Sequence, residues 1–211
     1  MTNPIRLLNL FTISIIATFL CTNSSFASSE PIGKPILVKA SGQVFAGKTL
    51  VDKATELPLI LRRGDTVVTG PNGNAEVIYN QVVGMHLAPK TVITISNFER
   101  GDYVARIIKG KILFNSPELP QNSKFTATAY GTEIEARGAH WWGSFKYNTD
   151  EMKLLVQDGE IFVRHFESGE NFSLLDGQAA EILSDHRVRH RPARKPELKP
   201  LKLAVSIPTT V

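Results

Sequence analysis

From Pro35 to Leu183 the chain is a succession of strand-length runs in which apolar and polar residues alternate. Gly, Asn, Asp or Pro interrupts them every eight to twelve residues. That spacing argues for antiparallel β structure and against βαβ units, which need helical stretches between strands. Thr66–Thr69 and Ala75–Tyr79 flank Gly70-Pro71-Asn72-Gly73-Asn74, and Asn-Gly tolerates the positive φ of a tight hairpin. Met85–Leu87 and Val92–Ile95 flank Ala88-Pro89-Lys90, and Val104–Ile108 and Lys111–Phe114 flank Gly110. Lys153–Gln157 and Glu160–Phe166 flank Asp158-Gly159, and Phe172–Leu175 and Ala179–Leu183 flank Asp176-Gly177. Each reads as a hairpin. The fold expected is all-β, a twisted sandwich or β-roll of short antiparallel strands and hairpins. Thr49–Leu57 alone has helical spacing as an alternative, with Leu50, Val51, Ala54 and Leu57 on one face and Pro58 closing it.

The two ends are different. Arg6 is the single charge before an apolar run from Leu7 to Cys21, and Ser25 and Ala27 are the small residues that signal peptidase reads. Residues 1–27 are expected to be a secretory signal peptide cleaved after Ala27, which places the protein in the periplasm or outside the cell. Cleavage would remove Cys21, the one cysteine, and with it any disulfide or thiol chemistry. Residues 28–39 then form an N-terminal extension and residues 40–184 the all-β domain. Residues 185–202 hold Arg187, Arg189, Arg191, Arg194, Lys195, Lys199 and Lys202, with Pro192, Pro196 and Pro200. Proline at that frequency opposes a helix and favours an extended, basic linker. At 203–211, alternation of Leu203, Val205 and Ile207 with polar or small residues suggests one further strand.

Charge follows this division. The whole chain is formally +4, with seven basic and two acidic residues from 185 onward and Arg6 alone before 28. That leaves 16 basic against 18 acidic residues in 28–184, a mildly acidic body. Nucleic-acid-binding domains carry their basic stripe on the folded surface, so no nucleic-acid partner is expected.

The stretch Gly64-Asp65-Thr66-Val67-Val68-Thr69-Gly70-Pro71-Asn72-Gly73-Asn74-Ala75-Glu76 resembles the signature of the FecR domain family. Leu87-Ala88-Pro89-Lys90-Thr91, Ile107-Ile108-Lys109-Gly110-Lys111-Ile112, Val156-Gln157-Asp158-Gly159-Glu160-Ile161 and Leu175-Asp176-Gly177-Gln178 follow in that family's order. The resemblance spans about residues 40–184 and implies a β scaffold working in signalling at the bacterial envelope. Two departures stand out. Regulators of this type also carry a cytoplasmic sigma-factor segment, a membrane helix and a transporter-facing domain; neither the cytoplasmic segment nor the transporter-facing domain is expected here, so direct sigma-factor control is not expected. And where the family often has Arg-Gly-Thr, this chain has Arg137-Gly138-Ala139 and then His140-Trp141-Trp142.

Gly42-Gln43-Val44-Phe45-Ala46-Gly47-Lys48-Thr49 has the letters of a phosphate-binding loop. Its chemistry needs a strand before it, a helix after it and a metal-holding acid on another strand, and the surrounding sequence supplies none of these. His186 and His190 are four apart among arginines that repel a cation, so no metal site is expected. Glu133 and Glu135 alternate on a strand and read as a solvated face. No nucleophile elbow or zinc-protease motif is present, and neither catalytic residues nor cofactors are expected. In a strand, Trp141, Gly143 and Phe145 point one way and Trp142 and Ser144 the other, so one Trp is core and the other is available to a ligand.

The residues expected to bind a partner are therefore His140, Trp141, Trp142 and Tyr147, as a stacking platform, and Arg187, Arg189, Arg191, Arg194 and Lys195, as an electrostatic attachment. The expected function is that of a non-enzymatic extracytoplasmic module recognising an envelope protein or glycan through its sheet surface. The alternative is a structural adaptor held to anionic lipid or wall polymer by its basic tail.

Overall fold

The computed structural model describes residues 34–51, 57–79, 83–99, 102–119 and 123–198. The first seven strands are β1 (Ile36–Ser41), β2 (Val44–Ala46), β3 (Thr49–Val51), β4 (Leu59–Ile60), β5 (Thr66–Thr69), β6 (Asn74–Tyr79) and β7 (Val83–Leu87). Then come β8 (Val92–Glu99), β9 (Asp102–Ser116), β10 (Lys124–Ala129), β11 (Thr132–Lys146) and β12 (Glu151–His165). β13 (Glu170–Leu174), β14 (Gln178–Ile182), β15 (Val188–Pro192) and a 3-10 turn at Lys195–Leu198 complete the described chain. The all-β expectation holds.

Strands β9, β11 and β12 are each 15 residues long, about three times an ordinary strand. Each changes phase once. In β9 the buried residues are Tyr103, Ala105 and Ile107, then Ile112, Phe114 and Ser116. In β12 they are Met152, Leu154 and Val156, then Ile161, Val163 and His165, with Leu155 buried in a separate cluster with Ala179. β11 buries Ile134 and Ala136, then Ala139, Trp141 and Phe145. The change falls at Gly110, Gly138 and Gly159, all with positive φ. One inserted residue, in a backbone region that L side chains rarely adopt, bulges the strand and bends it. The space is as demanding as the dihedral: a Cβ on Gly110 would lie 2.5 Å from Thr91 Cα, and one on Gly159 2.9 Å from Ala139 Cα.

The bends fold the sheet into two layers. The first is β3–β2–β5–β8, then the first part of β9, β10, the first part of β11, the second part of β12, and β13. The second is β4–β1–β6–β7, then the second parts of β9 and β11, the first part of β12, β14 and β15. All of these pairs are antiparallel except β9–β10. Aromatic rings fill the space between: Tyr79 of the second layer meets Tyr103 and Phe125 of the first edge-on, at 6.1 and 6.0 Å. Phe114 lies between Phe125 and Trp141, stacked on Trp141 at 4.0 Å and 9°. Such pairs add about 0.5–1.5 kcal/mol each beyond the area they bury.

The five hairpins read from the sequence take a different form. β5 pairs with β2 and β8, whereas β6 pairs with β1 and β7, so Gly70–Gly73 carries the chain from one layer to the other. Ala88–Thr91 does the same between β7 and β8, and Leu175–Gly177 between β13 and β14. The turns at Gly110 and Gly159 are kinks within single strands. At Lys90, Gly110, Gly159 and Gly177 a positive φ serves a corner or kink as it would a hairpin, and the local residues do not distinguish them; Asn72-Gly73 turns without the positive φ expected of it.

The corners at one end are hydrogen-bonded to each other. Gly70 N–H donates to Gln43 O at 2.8 Å and Lys90 N–H to Gly70 O at 3.1 Å. Thr69 Oγ1 donates to Ala88 O and accepts from Thr91 N–H, and Thr91 Oγ1 bridges Lys111 N and O at 3.1 and 3.2 Å. Buried hydroxyls thus satisfy backbone groups that the bend takes out of the ladder.

Three further expectations change. Thr49–Val51 is a strand paired to β2, since Val51 sits opposite Val44, rather than the start of a helix. β1 belongs to the sheet, which therefore begins at Ile36 rather than at residue 40. Most of the basic tail is also structured: β15 pairs with β14 from Gln178↔Pro192 to Ile182↔Val188, where an extended linker was expected. Pro192 ends that strand and so removes no interior ladder bond. The signal peptide (1–27) and the expected strand at 203–211 lie outside the described residues.

Candidate functional site

The second part of β9 runs from Gly110, at the corner stack, toward Gly138 of β11, at the far end. At the corner-stack end, β10 to β15 therefore present hairpin tips: Tyr130–Gly131, Tyr147–Asp150, Phe166–Gly169 and Leu183–Arg187. Two clefts open among them. One, of about 410 Å³, has Tyr130, Glu133, Tyr147, Asp150 and Phe166 in its walls. The other, an open cleft of about 810 Å³, lies against the corner stack, with Pro89, Lys90, Lys109, Lys111, Lys146 and Tyr147 in its walls. Tyr147 borders both and is 62% exposed; Phe166 is 56% exposed. Both residues leave a large aromatic face in solvent.

Tyr130 stands in the wall of the first cleft. Its backbone is left-handed, at φ 45, and its phenol donates to Ile108 O at 2.6 Å. Burial first, then Asp150 and Tyr147, push that phenol up to about 12, so it stays a neutral donor. Behind it, His165 is buried, with Nδ1 2.8 Å from Thr132 Oγ1 and its ring stacked at 5.7 Å on His186. Burial, and then His186, lower its pKa against the opposing pull of Glu167 and Glu170. Glu133 and Glu135 share the outward face of the first layer, where Arg164 binds Glu133 at 2.8 Å.

The four residues expected to form a platform are not brought together. Trp141 is 0% exposed and belongs to the core, which removes it from any surface site. His140 and Trp142 face outward from the second layer. Trp142 donates from Nε1 to Glu197 O at 3.4 Å and packs with Leu113, Leu155 and Ala193 under the last turn of the described chain. Tyr147 alone stands at the clefts. The expected alternation of the two tryptophans holds; what covers Trp142 could not be read, because its partner lies 55 residues away.

The basic residues divide as well. Arg191 reaches both oxygens of Glu197 at 2.8 and 2.7 Å and also Glu181, and Arg187 binds Asp185 at 2.7 Å. The Arg191 guanidinium holds Glu197 down to about 2. Arg189, Arg194 and Lys195 keep exposed side chains. Sequence reasoning missed Phe166, Asp150 and the lysines of the second cleft. Their signal was weak, because they converge from hairpins and corners far apart in the chain.

In the phosphate-loop pattern, Val44–Ala46 is itself strand β2 and Thr49 begins β3, so no helix follows the lysine. The FecR-like residues act at corners. Asp65 accepts from Arg62 N–H at 2.7 Å, Thr69 is a strut of the stack, and Glu76 pairs with Lys39 at 2.9 Å.

No family profile and no curated protein matches the chain. Solved structures do. Two crystal structures of a proposed anti-sigma factor from Parabacteroides distasonis share its fold, at TM-scores of 0.54 and 0.56 and 13% identity. The matches cover 65% and 66% of this chain and 63% and 65% of those chains. The chain thus spans less than two thirds of the length of the structures it resembles.

Proposed function

We propose that this protein is a non-enzymatic binding or signalling module of the bacterial envelope, of the FecR-domain type. It is exported by its N-terminal signal and recognises a protein or glycan partner at the hairpin-tip end. The observation that carries this reading is the exposure of Tyr147 and Phe166 in the walls of the first cleft, with Tyr147 bordering the second as well. The order of FecR-like motifs and the fold shared with the anti-sigma-factor structures support it. The adaptor reading rests on a smaller set of free cations than the sequence offered, since Arg187 and Arg191 are held by acids of the same chain.

The test is photo-crosslinking in intact cells from a probe at position 148, with wild-type and Tyr147→Ala/Phe166→Ala proteins side by side. The expected result is one discrete adduct that the double variant loses while its melting temperature stays unchanged. Equal adducts from both proteins would end the reading.

A further inference from the structure

The corner-side cleft has a chemistry of its own. Lys90, Lys109, Lys111 and Lys146 stand in its walls, and no Asp or Glu does. Lys146 binds Glu151 at 2.7 Å. The other three have no carboxylate partner among the described residues, in a body whose net charge is negative. Three like charges gathered without counter-charge repel each other, and an anion relieves that repulsion.

Their backbones are fixed. Lys90 sits at φ 62 in the corner, with its N–H on Gly70 O. Lys109 and Lys111 flank the Gly110 kink, opposite Val92 and Ser144, and Thr91 clamps Lys111 N and O. The remaining wall is not ionic. Pro89 and the Tyr147 ring offer flat apolar faces, and Ser144, Asn148 and Thr149 offer hydrogen bonds. A volume of about 810 Å³ suits several sugar rings better than one inorganic ion.

We propose that this cleft binds an acidic saccharide, with carboxylates on Lys90, Lys109 and Lys111 and a ring face on Tyr147. The proposal rests on the reading of the hairpin-tip end as a binding surface and names its ligand class.

The test is calorimetry of the full mature chain with an oligogalacturonate of about six rings, the same oligomer fully methyl-esterified, inorganic phosphate, and anionic phospholipid vesicles. The acidic oligomer should bind and weaken as salt rises. The ester should bind about tenfold weaker or worse, and Lys109→Gln/Lys111→Gln should lose about tenfold. Lys90→Asn keeps a residue that tolerates positive φ and should lose about threefold. Melting curves should stay unchanged. Absence of oligomer binding, equal binding of the ester, or equal binding by the lysine variants would overturn the proposal. Phosphate displacing the oligomer at equal concentration would reduce the cleft to a simple anion site. Vesicle binding that needs the lysines, without oligomer binding, would assign it to lipid; both results overturn the saccharide. If the lysine variants keep the crosslinked adduct that Tyr147→Ala/Phe166→Ala loses, the saccharide falls and the binding surface stands. If that aromatic variant keeps both adduct and oligomer affinity, the binding surface falls instead.

Discussion

The two halves of the molecule turn their corners at opposite ends. In the amino-terminal half, Gln43, Gly70, Lys90 and Gly110 stack at one end through a continuous line of backbone and threonine hydrogen bonds. In the carboxy-terminal half, Gly138, Gly159 and Gly177 bend the chain at the other end, where Gly177 N–H donates to Val156 O and Ala193 N–H to Gly177 O. Both halves place residues of positive φ at corners, Gly42, Lys90 and Gly110 in one and Gly138, Gly159 and Gly177 in the other, whereas the Gly70–Gly73 crossing is made without one. The difference shows how a sandwich acquires a cleft. Where one half is closed by corners and its neighbour shows only hairpin tips, side chains from both meet without a continuous sheet edge to cover them. Tyr147 and the lysines stand at that junction.

The largest expected effect comes from breaking a corner outright. Gly159→Val adds a side chain where the backbone is left-handed and Ala139 leaves no room, and should cost about 5 kcal/mol or more, enough to unfold the domain. Gly177→Ala tests the distinction between strain and space: φ is again positive, but nothing lies within 4 Å. It should cost about 1 kcal/mol, the backbone term alone. Equal melting temperatures for the two variants would show that space at the corner does not matter.

Next in size are the tryptophans on opposite faces of β11. Trp141→Ala should lose about 3–5 kcal/mol by emptying the core beside Phe114. Trp142→Ala should lose about 1–2 kcal/mol and loosen the segment after β15, seen as faster proteolysis near Glu197. Denaturant melts of both variants decide this.

Thr91→Val keeps the shape of the strut and removes the oxygen that serves Lys111 N and O, at a cost of about 1–3 kcal/mol. Thr132→Val, whose hydroxyl meets a histidine ring in the other half, should cost less, about 1 kcal/mol. The reverse order would show that the threonine bridges are not what holds the corner stack.

The smallest effect is on pH dependence. His165 has a lowered pKa, so the unfolded chain binds its proton more readily; that stability is present above the ordinary histidine range near pH 6.5 and is lost as the pH falls below it. Tyr130, pushed up to about 12, and Tyr79, pushed up by burial, act at the other limit. Their contribution is present below pH 10 and is lost as the pH rises toward 12. Melting temperatures should thus fall on both sides of neutrality, and His165→Gln should flatten the acid side alone. An unchanged acid limb in that variant would free His165 from this role.

Much of this was legible in the residues. Alternation marked most of the strand-length runs, and it put Trp141 and Trp142 on opposite faces before any partner was known. The phase of alternation also carried the bends: buried positions run odd through Ile107 and even from Ile112, a one-residue slip around Gly110 that marks a kink in a continuous strand. Read as a turn signal alone, that glycine suggested a hairpin. The basic tail was misjudged for a related reason, since proline and arginine describe an edge strand as well as a linker, and pairing with β14 decided between them.

The sequence by itself determined the class of structure, the opposite faces of Trp141 and Trp142, the turn residues and the charge asymmetry, because each depends on neighbours within a few positions. The tertiary structure alone decided which turns cross between layers, which cations are neutralised by Glu181 and Glu197, and which residues share a cleft. Those outcomes depend on hydrogen bonds and contacts between segments tens of residues apart, and local preference does not encode which distant strand will accept an edge.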